Sequence, residues 1–397
     1  MIRNHLIFLV SILLFTLIVH PQQDDLLAQK DSSFMQTPQK VYRYCYVVKT
    51  KEWYKNQEEL WKQELSKNQQ NEDAWYNYFF AARYGWANVK GQTNTREELM
   101  DSIYHEMGKA IPNSWVYHYI HYYNYATDFS RLEKAYQINP DAPDLYWEFI
   151  KEYTLTGQKG KSTEFCKKLY DSKDISTGIY NLNYNMLAST VKNSILFTNG
   201  DNDTYPAWIL QNVKEIRKDV LILTIHGTLY NRDYLKSILA DKGIHLDVEK
   251  LSTTDVTTYF NKLVELLRAN YPDVTIHIAR TVYKPYYQKF IDKLYTTGLV
   301  MTYSEKPIDS DRRNKEVIEN DLRLDYLDID WYADLHVSEP LVNQLNLLYV
   351  DPFLNLAKYY YAKKDINSAR KWKDKALLIS KKANDEDLIK RIEGMGW

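Results

Sequence analysis

The amino-acid sequence predicts a fold of two kinds: tetratricopeptide-like helical repeats flanking a Rossmann-like, mostly parallel α/β domain. Two observations lead to this prediction. Aromatic and small apolar residues recur at helical spacing before residue 178 and again after residue 350, in units of about 34 residues. Between them, Ser194–His226 reads as an apolar strand, a polar loop, an amphipathic helix and a second apolar strand. Such a crossover unit makes parallel strands.

The amino terminus has the pattern of an export signal. Arg3 precedes Leu6–Val19, an apolar run interrupted only by Ser11 and Thr16. A basic start followed by about fourteen apolar residues is typical of a secretory signal and is short for a membrane span. We therefore predict a signal peptide or signal anchor over residues 1–28 and a periplasmic location. The protein is expected to be either soluble after cleavage or anchored to the inner membrane by this run.

Composition and charge fit a globular body and disfavour some partners. The chain has 397 residues and a net charge of −1, with its basic residues spread along it. This balance favours neither a nucleic acid nor an anionic membrane as partner. Cys45 and Cys166 are expected to be buried thiols, with a disulfide bond between them as the alternative. Two cysteines without a second pair predict no cysteine metal site.

Helical repeats are predicted over residues 29–178 and once more within a carboxyl-terminal helical segment, residues 311–397. Each candidate repeat is a pair of helices joined by a short turn, with Gly157 at one such turn. Tyr42–Val48, just before them, is compatible with a strand or with the start of a helix. Because helical repeats present extended surfaces to proteins or peptides, they predict protein partners. The candidate repeats lie at residues 73–112, 115–140, 143–170 and 352–380.

The central α/β domain is predicted over residues 179–310. Gly200 allows a sharp turn after the first strand, Thr204 is expected to cap the next helix, and Pro206 fits its first turn. The charged stretch Ser304–Asp330 is predicted to be an exposed connector. The other elements are strands at Ile195–Phe197, Val220–Ile225, Val274–Ala279 and Leu299–Tyr303, and helices at Tyr234–Ala240, Thr257–Ala269 and Phe290–Tyr295.

A ligand site is predicted where polar residues follow these strands. The carboxyl ends of parallel strands gather at one rim of a sheet, where open α/β sheets bind ligands. Carboxylates, a histidine and an arginine at such a rim can bind a cation with a polar ligand or carry out acid–base chemistry. The alternative is that the Asp and Asn side chains cap backbone N–H groups and hold the loop. The residues are Asn199, Asp201, Asn202 and Asp203 after the first strand, His226 after the second, Arg280 after the third and Tyr303 after the fourth.

No catalytic residue and no cofactor is predicted. The sequence lacks the Gly-x-Ser-x-Gly, phosphate-loop and His-Glu-x-x-His motifs of familiar hydrolases, nucleotide-binding proteins and zinc proteases. Asp201 and Asp203 share the D-x-D spacing of one glycosyltransferase class, but three residues are too few to specify that chemistry. An enzymatic role is therefore left open, with a non-enzymatic one favoured.

The 35 tyrosines are mostly explained by packing at helical spacing. The densest cluster is His118–Tyr125, where the alternative is a ligand role, since aromatic faces stack on sugar rings. His118 and His121 can share a helix face, but no third metal ligand lies close in the sequence.

The loop after the first strand resembles a known family. Asn199–Trp208, followed by an IR-x-DV step at residues 216–220 and a strand, resembles a motif in the soluble carboxyl-terminal part of a bacteroidete membrane-protein family of unknown function. Weaker similarity covers about residues 180–310. The membrane half of that family is similar to protein O-mannosyltransferases, and this sequence shows no such half. The resemblance implies a role beside cell-envelope glycosylation machinery rather than glycosyl transfer itself.

These observations lead to two functional hypotheses. The first is a non-enzymatic exported protein-binding or scaffold protein that meets envelope partners through its helical repeats, as an accessory to cell-envelope glycosylation. The alternative is a sugar-binding or glycan-active α/β domain with a site at the rim of the strands.

Overall fold

The computed structural model describes residues 36–45, 47–86, 95–125, 128–329 and 338–396. The predicted signal segment, residues 1–28, lies outside them. The described chain is mostly helical and contains one small five-stranded mixed sheet. It divides into two compact units: the first holds the described residues before Tyr44 together with Val47–Phe149, and the second holds Tyr44, Cys45 and the residues from Ile150 onward. Among the described residues, no helix has the length and apolar character needed to cross a membrane.

The first unit is built from helices that begin at side-chain caps. Thr50 and Asn71 each accept a hydrogen bond from the backbone N–H three residues ahead, and Thr95 forms a reciprocal capping box with Glu98. These bonds satisfy donors that a helix leaves open at its start. The helices are α1 (Lys51–Lys67), α2 (Glu72–Gly85), α3 (Arg96–Ala110), α4 (Trp115–Tyr125), α5 (Phe129–Ile138) and α6 (Pro143–Leu155), of which α6 ends in the second unit.

Helix α2 is buried on nearly every side. It packs against α1, α3 and α4, and ten of its residues are buried. Its sequence, EDAWYNYFFAARYG, is apolar around most of its circumference, which is the pattern of a core helix. Helices α4 and α5 also pack as a pair. The helices predicted within residues 73–112 and 115–140 are therefore present and adjacent.

The second unit begins with more helices and then forms the sheet. In the turn between α6 and α7, Gly157 has a φ of +71°, a conformation that favours glycine. The remaining elements are α7 (Lys159–Ser172), α8 (Thr177–Ala188), β1 (Ile195–Thr198), α9 (Asp201–Lys214), β2 (Leu221–Thr224), α10 (Ile225–Tyr230), α11 (Arg232–Ala240), α12 (Val256–Asn270), β3 (Ile276–Ala279), α13 (Lys284–Tyr287), β4 (Leu294–Thr297), β5 (Val300–Tyr303), α14 (Ser310–Asn320), α15 (Glu339–Asn346), α16 (Val350–Ala362), α17 (Ile366–Lys382) and α18 (Glu386–Glu393).

The sheet has the strand order β2-β1-β3-β5-β4. Strand β1 is parallel to β2 and to β3, with Leu196 opposite Ile222 and His277. Every residue of β1, β2 and β3 is buried. Strands covered on both faces read as continuous apolar runs, which explains why this part of the sheet was visible in the sequence.

The other edge of the sheet corrects the prediction of a mostly parallel sheet. Strand β5 runs antiparallel to β3 and to β4, so the sheet is mixed. Thr302 of β5 lies opposite His277 of β3, which places Tyr303 towards the amino end of β3. Tyr303 is therefore at the opposite end of the sheet from the predicted ligand rim.

The antiparallel edge arises from a hairpin at a glycine. The predicted helix Phe290–Tyr295 is wrong: a 3₁₀ helix covers Gln288–Lys293, and β4 begins at Leu294. Gly298, with a φ of +60°, is the first residue of the two-residue turn between β4 and β5. A two-residue hairpin turn needs a positive φ at its first residue, which glycine adopts easily, and such a turn joins antiparallel strands.

The predicted exposed connector Ser304–Asp330 is exposed over more than half of its described residues but is wrong at Ser310–Asn320, where a helix with a buried face forms; Asp330 lies outside the described residues. Helix α14 buries Asn314, Val317 and Ile318, which are spaced to share one helix face. Asn314 accepts a hydrogen bond from the backbone N–H of Gly298 (2.9 Å) and so ties this helix to the hairpin. The charged residues that suggested a connector lie on the exposed side.

The carboxyl-terminal helices α16 and α17 pack closely against each other. Phe353 and Trp372 bring their ring centroids within 5.2 Å, and Ala357 and Ala376 are buried. Lys364 adopts a φ of +64° in the turn between the two helices. The helix pair predicted at residues 352–380 is thus present.

Candidate functional site

The predicted rim lies where the connections of the sheet reverse direction. From β1 the chain moves to β2 on one side, whereas β3 pairs on the other side of β1. In parallel sheets such a reversal leaves a crevice beyond the carboxyl ends of the two central strands. The loops that follow β1 and β3 start at Asn199 and Arg280.

Asp203 forms hydrogen bonds within its own loop. Its carboxylate accepts hydrogen bonds from the backbone N–H groups of Asn199 and Gly200, both at 2.8 Å, and from the Thr281 hydroxyl. The residue is 2% exposed. Burial raises the pKa of Asp203, while the hydrogen bonds from Asn199, Thr281 and Gly200 act to lower it. We call this arrangement the Asp203 loop; it joins the end of β1 to the residue after Arg280.

The start of α9 differs from the prediction. The helix begins at Asp201 after Gly200, so Thr204 is not its cap; the Thr204 hydroxyl lies 2.8 Å from that of Thr198. Pro206 sits inside the helix and has no N–H to donate to the Asn202 carbonyl four residues back.

Asn183 on α8 replaces the hydrogen bond that Pro206 cannot make. Its side-chain Nδ2 donates to the Asn202 carbonyl oxygen at 2.8 Å and to the Ile179 carbonyl oxygen at 3.0 Å. Asn183 is fully buried. A polar side chain from a neighbouring helix thus makes an internal proline tolerable in α9.

The other predicted residues of this loop are half-buried. Within the described part of the chain, the side-chain oxygens of Asn199 and Asn202 are buried and accept no hydrogen bond. Asp201 lies close enough to Cys45 for its charge to add to burial in raising the pKa of the Cys45 thiol. Cys45 and Cys166 are both buried free thiols, so the disulfide alternative is wrong.

His226 and Arg280 have partners of their own. His226 is buried in α10 against the Tyr286 ring, 6.0 Å between centroids, and burial lowers the pKa of His226 to about 4. The Arg280 guanidinium forms an ion pair with Asp351 at 2.9 Å. Asp203, His226 and Arg280 therefore engage three different sets of neighbours. In the described ranges, no group of three or more His, Cys, Asp or Glu side chains is placed to hold a metal ion.

The IR-x-DV step has a structural explanation. Arg217 donates hydrogen bonds to the carbonyl oxygens of Leu187, Thr190 and Val191 at 2.8–3.0 Å and pairs with Asp219 at 2.9 Å. These carbonyls lie at the end of α8 and just beyond, where a helix leaves its acceptors open. The bond to Arg217 lowers the pKa of Asp219 to about 2.

A second polar arrangement lies in the first unit, around residues 36–43. This segment forms neither helix nor strand, and helix side chains bond to its backbone. The Gln39 N–H donates to Gln57 Oε1 and the Val41 N–H donates to Asn77 Oδ1, both at 2.6 Å. Trp61 Nε1 donates to the Gln39 carbonyl oxygen at 2.9 Å. Side chains of helices α1 and α2 therefore hold the backbone of Gln39 and Val41 through three hydrogen bonds.

Arg43 ends this segment in a buried cage. Its guanidinium pairs with Glu148 at 3.0 Å, and the two side chains are 1% and 2% exposed. Three aromatic rings surround it, with the guanidinium carbon 4.2 Å from the centroid of Tyr123, 4.8 Å from Phe80 and 5.4 Å from Tyr119. We call these residues the Arg43 cage.

Sequence reasoning missed both the segment and the cage. Arg43 stands in an aromatic and apolar stretch, YRYCYVV, and Asn77 stands among the apolar residues of α2. A polar residue inside an apolar run must find a partner when buried, and that rule was the available clue. It says that a partner exists but not which residue it is.

The tyrosine and histidine cluster His118–Tyr125 is mostly buried, and its two histidines bond to residues outside it. His121 Nδ1 lies 2.8 Å from the Tyr104 hydroxyl, and His118 Nδ1 lies 3.0 Å from the Arg131 guanidinium. Burial, together with the charge of Arg131, lowers the pKa of both histidines. Each histidine thus has its own partner on a neighbouring helix.

Comparison with known proteins gives one short family match. A family model described as TMEM260-associated domain 2 matches residues 179–237, from α8 to α11, which include Asp203 and Arg217. No curated protein matches the chain. Among solved structures, the crystal structure of yeast Tom70 is similar, with 11% sequence identity, a TM-score of 0.27 and coverage of 88% of this chain and 61% of that chain. The chain thus spans less than two thirds of the Tom70 chain, and a likeness at this score carries no argument about function.

Proposed function

We propose that this protein is a non-enzymatic scaffold that binds other proteins through extended segments. The observation that supports this proposal is that Gln57, Trp61 and Asn77 of helices α1 and α2 bond to the backbone of the chain's own residues 39–41, which form neither helix nor strand. Backbone hydrogen bonds from side chains suit segments of varied sequence, because every residue except proline offers the same N–H and C=O groups. In this proposal the helices are tetratricopeptide-like and the second unit is Rossmann-like.

The proposal includes export and a role beside cell-envelope glycosylation. The basic start and the apolar run Leu6–Val19 support export. The loop Asn199–Trp208 supports the glycosylation role through its resemblance to the bacteroidete family, and the match to TMEM260-associated domain 2 covers the same loop. The envelope partner itself would be a protein.

The rim of the sheet supports the non-enzymatic side of the proposal. Asp203 has backbone donors within hydrogen-bond distance and Arg280 is paired with Asp351. The bonds to Asp203 are those expected of an Asp that caps backbone N–H groups, and the charge of Arg280 is already paired. A glycan bound at this rim stays a prediction, and none of the contacts at the rim favours it over capping.

A peptide-display experiment tests the proposed function. A library of random twelve-residue peptides is selected on the immobilised full chain, and each enriched peptide is measured by calorimetry and mapped by hydrogen exchange. We expect one-to-one binding that slows exchange in α1–α5 of the first unit. Enriched peptides that protect only the second unit, or a selection that enriches none, would contradict the proposal.

A further inference from the structure

We propose that the Arg43 cage is a binding site for the arginine of an extended partner segment, and that the chain's own residues 36–43 occupy this site until such a segment replaces them. The partner segment has an aliphatic residue two positions before its arginine. This inference rests on the proposed function, because it names which segments the first unit binds.

The chemistry of the cage selects a guanidinium. Glu148 supplies the opposite charge, and three ring faces lie within 5.4 Å of the Arg43 carbon. A guanidinium is planar, is weakly hydrated and stacks on aromatic faces, whereas the ammonium of lysine is compact and strongly hydrated. With the pair at most 2% exposed, a lysine in the same place would have to lose that hydration.

The rest of the segment is recognised mainly through its backbone. Gln39 and Val41 use their N–H groups, and Gln39 also uses its carbonyl. Along the segment, Val41 and Arg43 are buried while Lys40 is exposed, as expected for an extended chain with alternating side chains. The residue-specific contacts are therefore an aliphatic side chain and an arginine, two positions apart.

The chain's own segment competes with any partner. Because it is covalently attached, it acts at an effective concentration on the order of millimolar, which weakens the binding of free peptides to the wild type without abolishing it. The segment has no strand partner in the described structure, so leaving the site breaks side-chain contacts rather than a sheet. Weakening the internal arginine should thus expose the site.

The experiment measures a labelled peptide with the sequence of residues 36–43, QTPQKVYR, against the full chain by fluorescence anisotropy. The receptors are the wild type and the Arg43→Ala variant, and circular dichroism verifies folding. Since Arg43→Ala removes the ion pair of a buried carboxylate and can unfold the unit, Arg43→Lys provides a second receptor. Matched control peptides replace the final arginine by lysine, or the exposed Lys40 by alanine.

We expect the peptide to bind Arg43→Ala or Arg43→Lys at least tenfold more tightly than the wild type. The peptide ending in lysine should bind at least tenfold more weakly, and the one with alanine for Lys40 should bind unchanged. Equal binding of the arginine and lysine peptides would overturn the arginine site while leaving peptide binding by the first unit intact. Absence of binding to both folded variants would also overturn it, independently of the display selection.

A second copy of the chain carries the same segment, so oligomeric state is measured as well. If the cage binds a different protein, both Arg43 variants should have the same oligomeric state as the wild type in size-exclusion chromatography. Exchange of segments between copies would produce dimers in the variants, and that result would overturn the claim of a different partner.

Discussion

The Asp203 loop of the second unit and the Arg43 cage of the first are both buried polar clusters, yet they are assembled differently. Asp203 bonds to the backbone of Asn199 and Gly200, four and three residues away, and also to the Thr281 hydroxyl, 78 residues away. Arg43 bonds to Glu148, 105 residues away. The backbone bonds of Asp203 are local and hold its own turn, whereas the ion pair of Arg43 joins residues 36–43 to a helix far along the chain. The conspicuous Asp203 thus caps its own turn, and the inconspicuous Arg43 holds residues 36–43 beside Glu148.

Breaking the Arg43 cage should have the largest effect on stability. Removing one partner of a buried ion pair costs about 3–5 kcal/mol, whereas replacing both partners by apolar residues is often neutral. We expect Arg43→Ala to lower the free energy of unfolding of the first unit by that amount, and Arg43→Met/Glu148→Met to recover most of it. Urea unfolding followed by tryptophan fluorescence measures both. A loss below about 1 kcal/mol in Arg43→Ala would show that the pair does not hold the segment.

Breaking the Asp203 loop should cost less. Asp203→Ala leaves two backbone N–H groups and the Thr281 hydroxyl without their acceptor, for an expected loss of about 2–3 kcal/mol. Asp201→Ala is the matched control in the same D-x-D pair. It should cost under about 1 kcal/mol, the usual worth of an acidic residue in a first helical turn. Similar losses for the two would contradict the assignment of the larger capping role to Asp203.

Acid should weaken the second unit through its buried histidines. His277 Nε2 accepts from the Val191 N–H at 3.0 Å, and burial, with the charges of Arg313 and Arg217, lowers the pKa of His277 to about 3. In the unfolded chain His277 becomes protonated near pH 6.5, whereas in the folded chain it stays neutral down to about pH 3. The stability gained from the neutral histidine is therefore complete above pH 6.5 and is lost as pH falls towards 3.

At pH 5.5 this loss amounts to about 1.4 kcal/mol for His277. We expect His277→Gln to reduce the difference in unfolding free energy between pH 7.5 and pH 5.5 by that amount. His226→Gln should act in the same direction, because burial lowers the pKa of His226 to about 4. An unchanged pH dependence in both variants would show that these histidines are protonated in the folded state.

The smallest effect concerns the proline inside α9. Asn183→Ala removes the donor to the Asn202 carbonyl and should cost about 1–2 kcal/mol. In a Pro206→Ala background, the restored N–H can bond to that carbonyl, so the same substitution should cost about 0.5–1 kcal/mol less. A double-mutant cycle measures this coupling. Strictly additive losses would mean that Asn183 does not substitute for the missing helix bond.

Local structure was largely predictable because its causes lie within a few residues. Strands β1, β2 and β3 were recognised from continuous apolar runs, and the helix pairs from their periodicity and turns. The hairpin at Gly298 was missed although its turn residue was visible. Its flanking strands are only four residues long, and a helix fitted the preceding residues as well.

The candidate sites were predictable only in part. Capping by Asp203 was one of the alternatives that the loop sequence offered, because an Asp in a strand-to-helix turn commonly bonds to backbone N–H groups. The pairing of Arg280 with Asp351 bridges 71 residues, and no periodicity along the chain encodes such a pair.

By itself, the sequence determined where most helices and the parallel strands lie and which loop turns sharply between β1 and α9. Spacing, caps and glycine act over one or two turns of chain, so their consequences can be read locally. Only the tertiary structure decided that β5 runs antiparallel, that His226 is buried, and that Arg43 lies among three rings beside Glu148. These outcomes depend on which distant surfaces bury each other, and burial is a property of the folded chain rather than of any one segment.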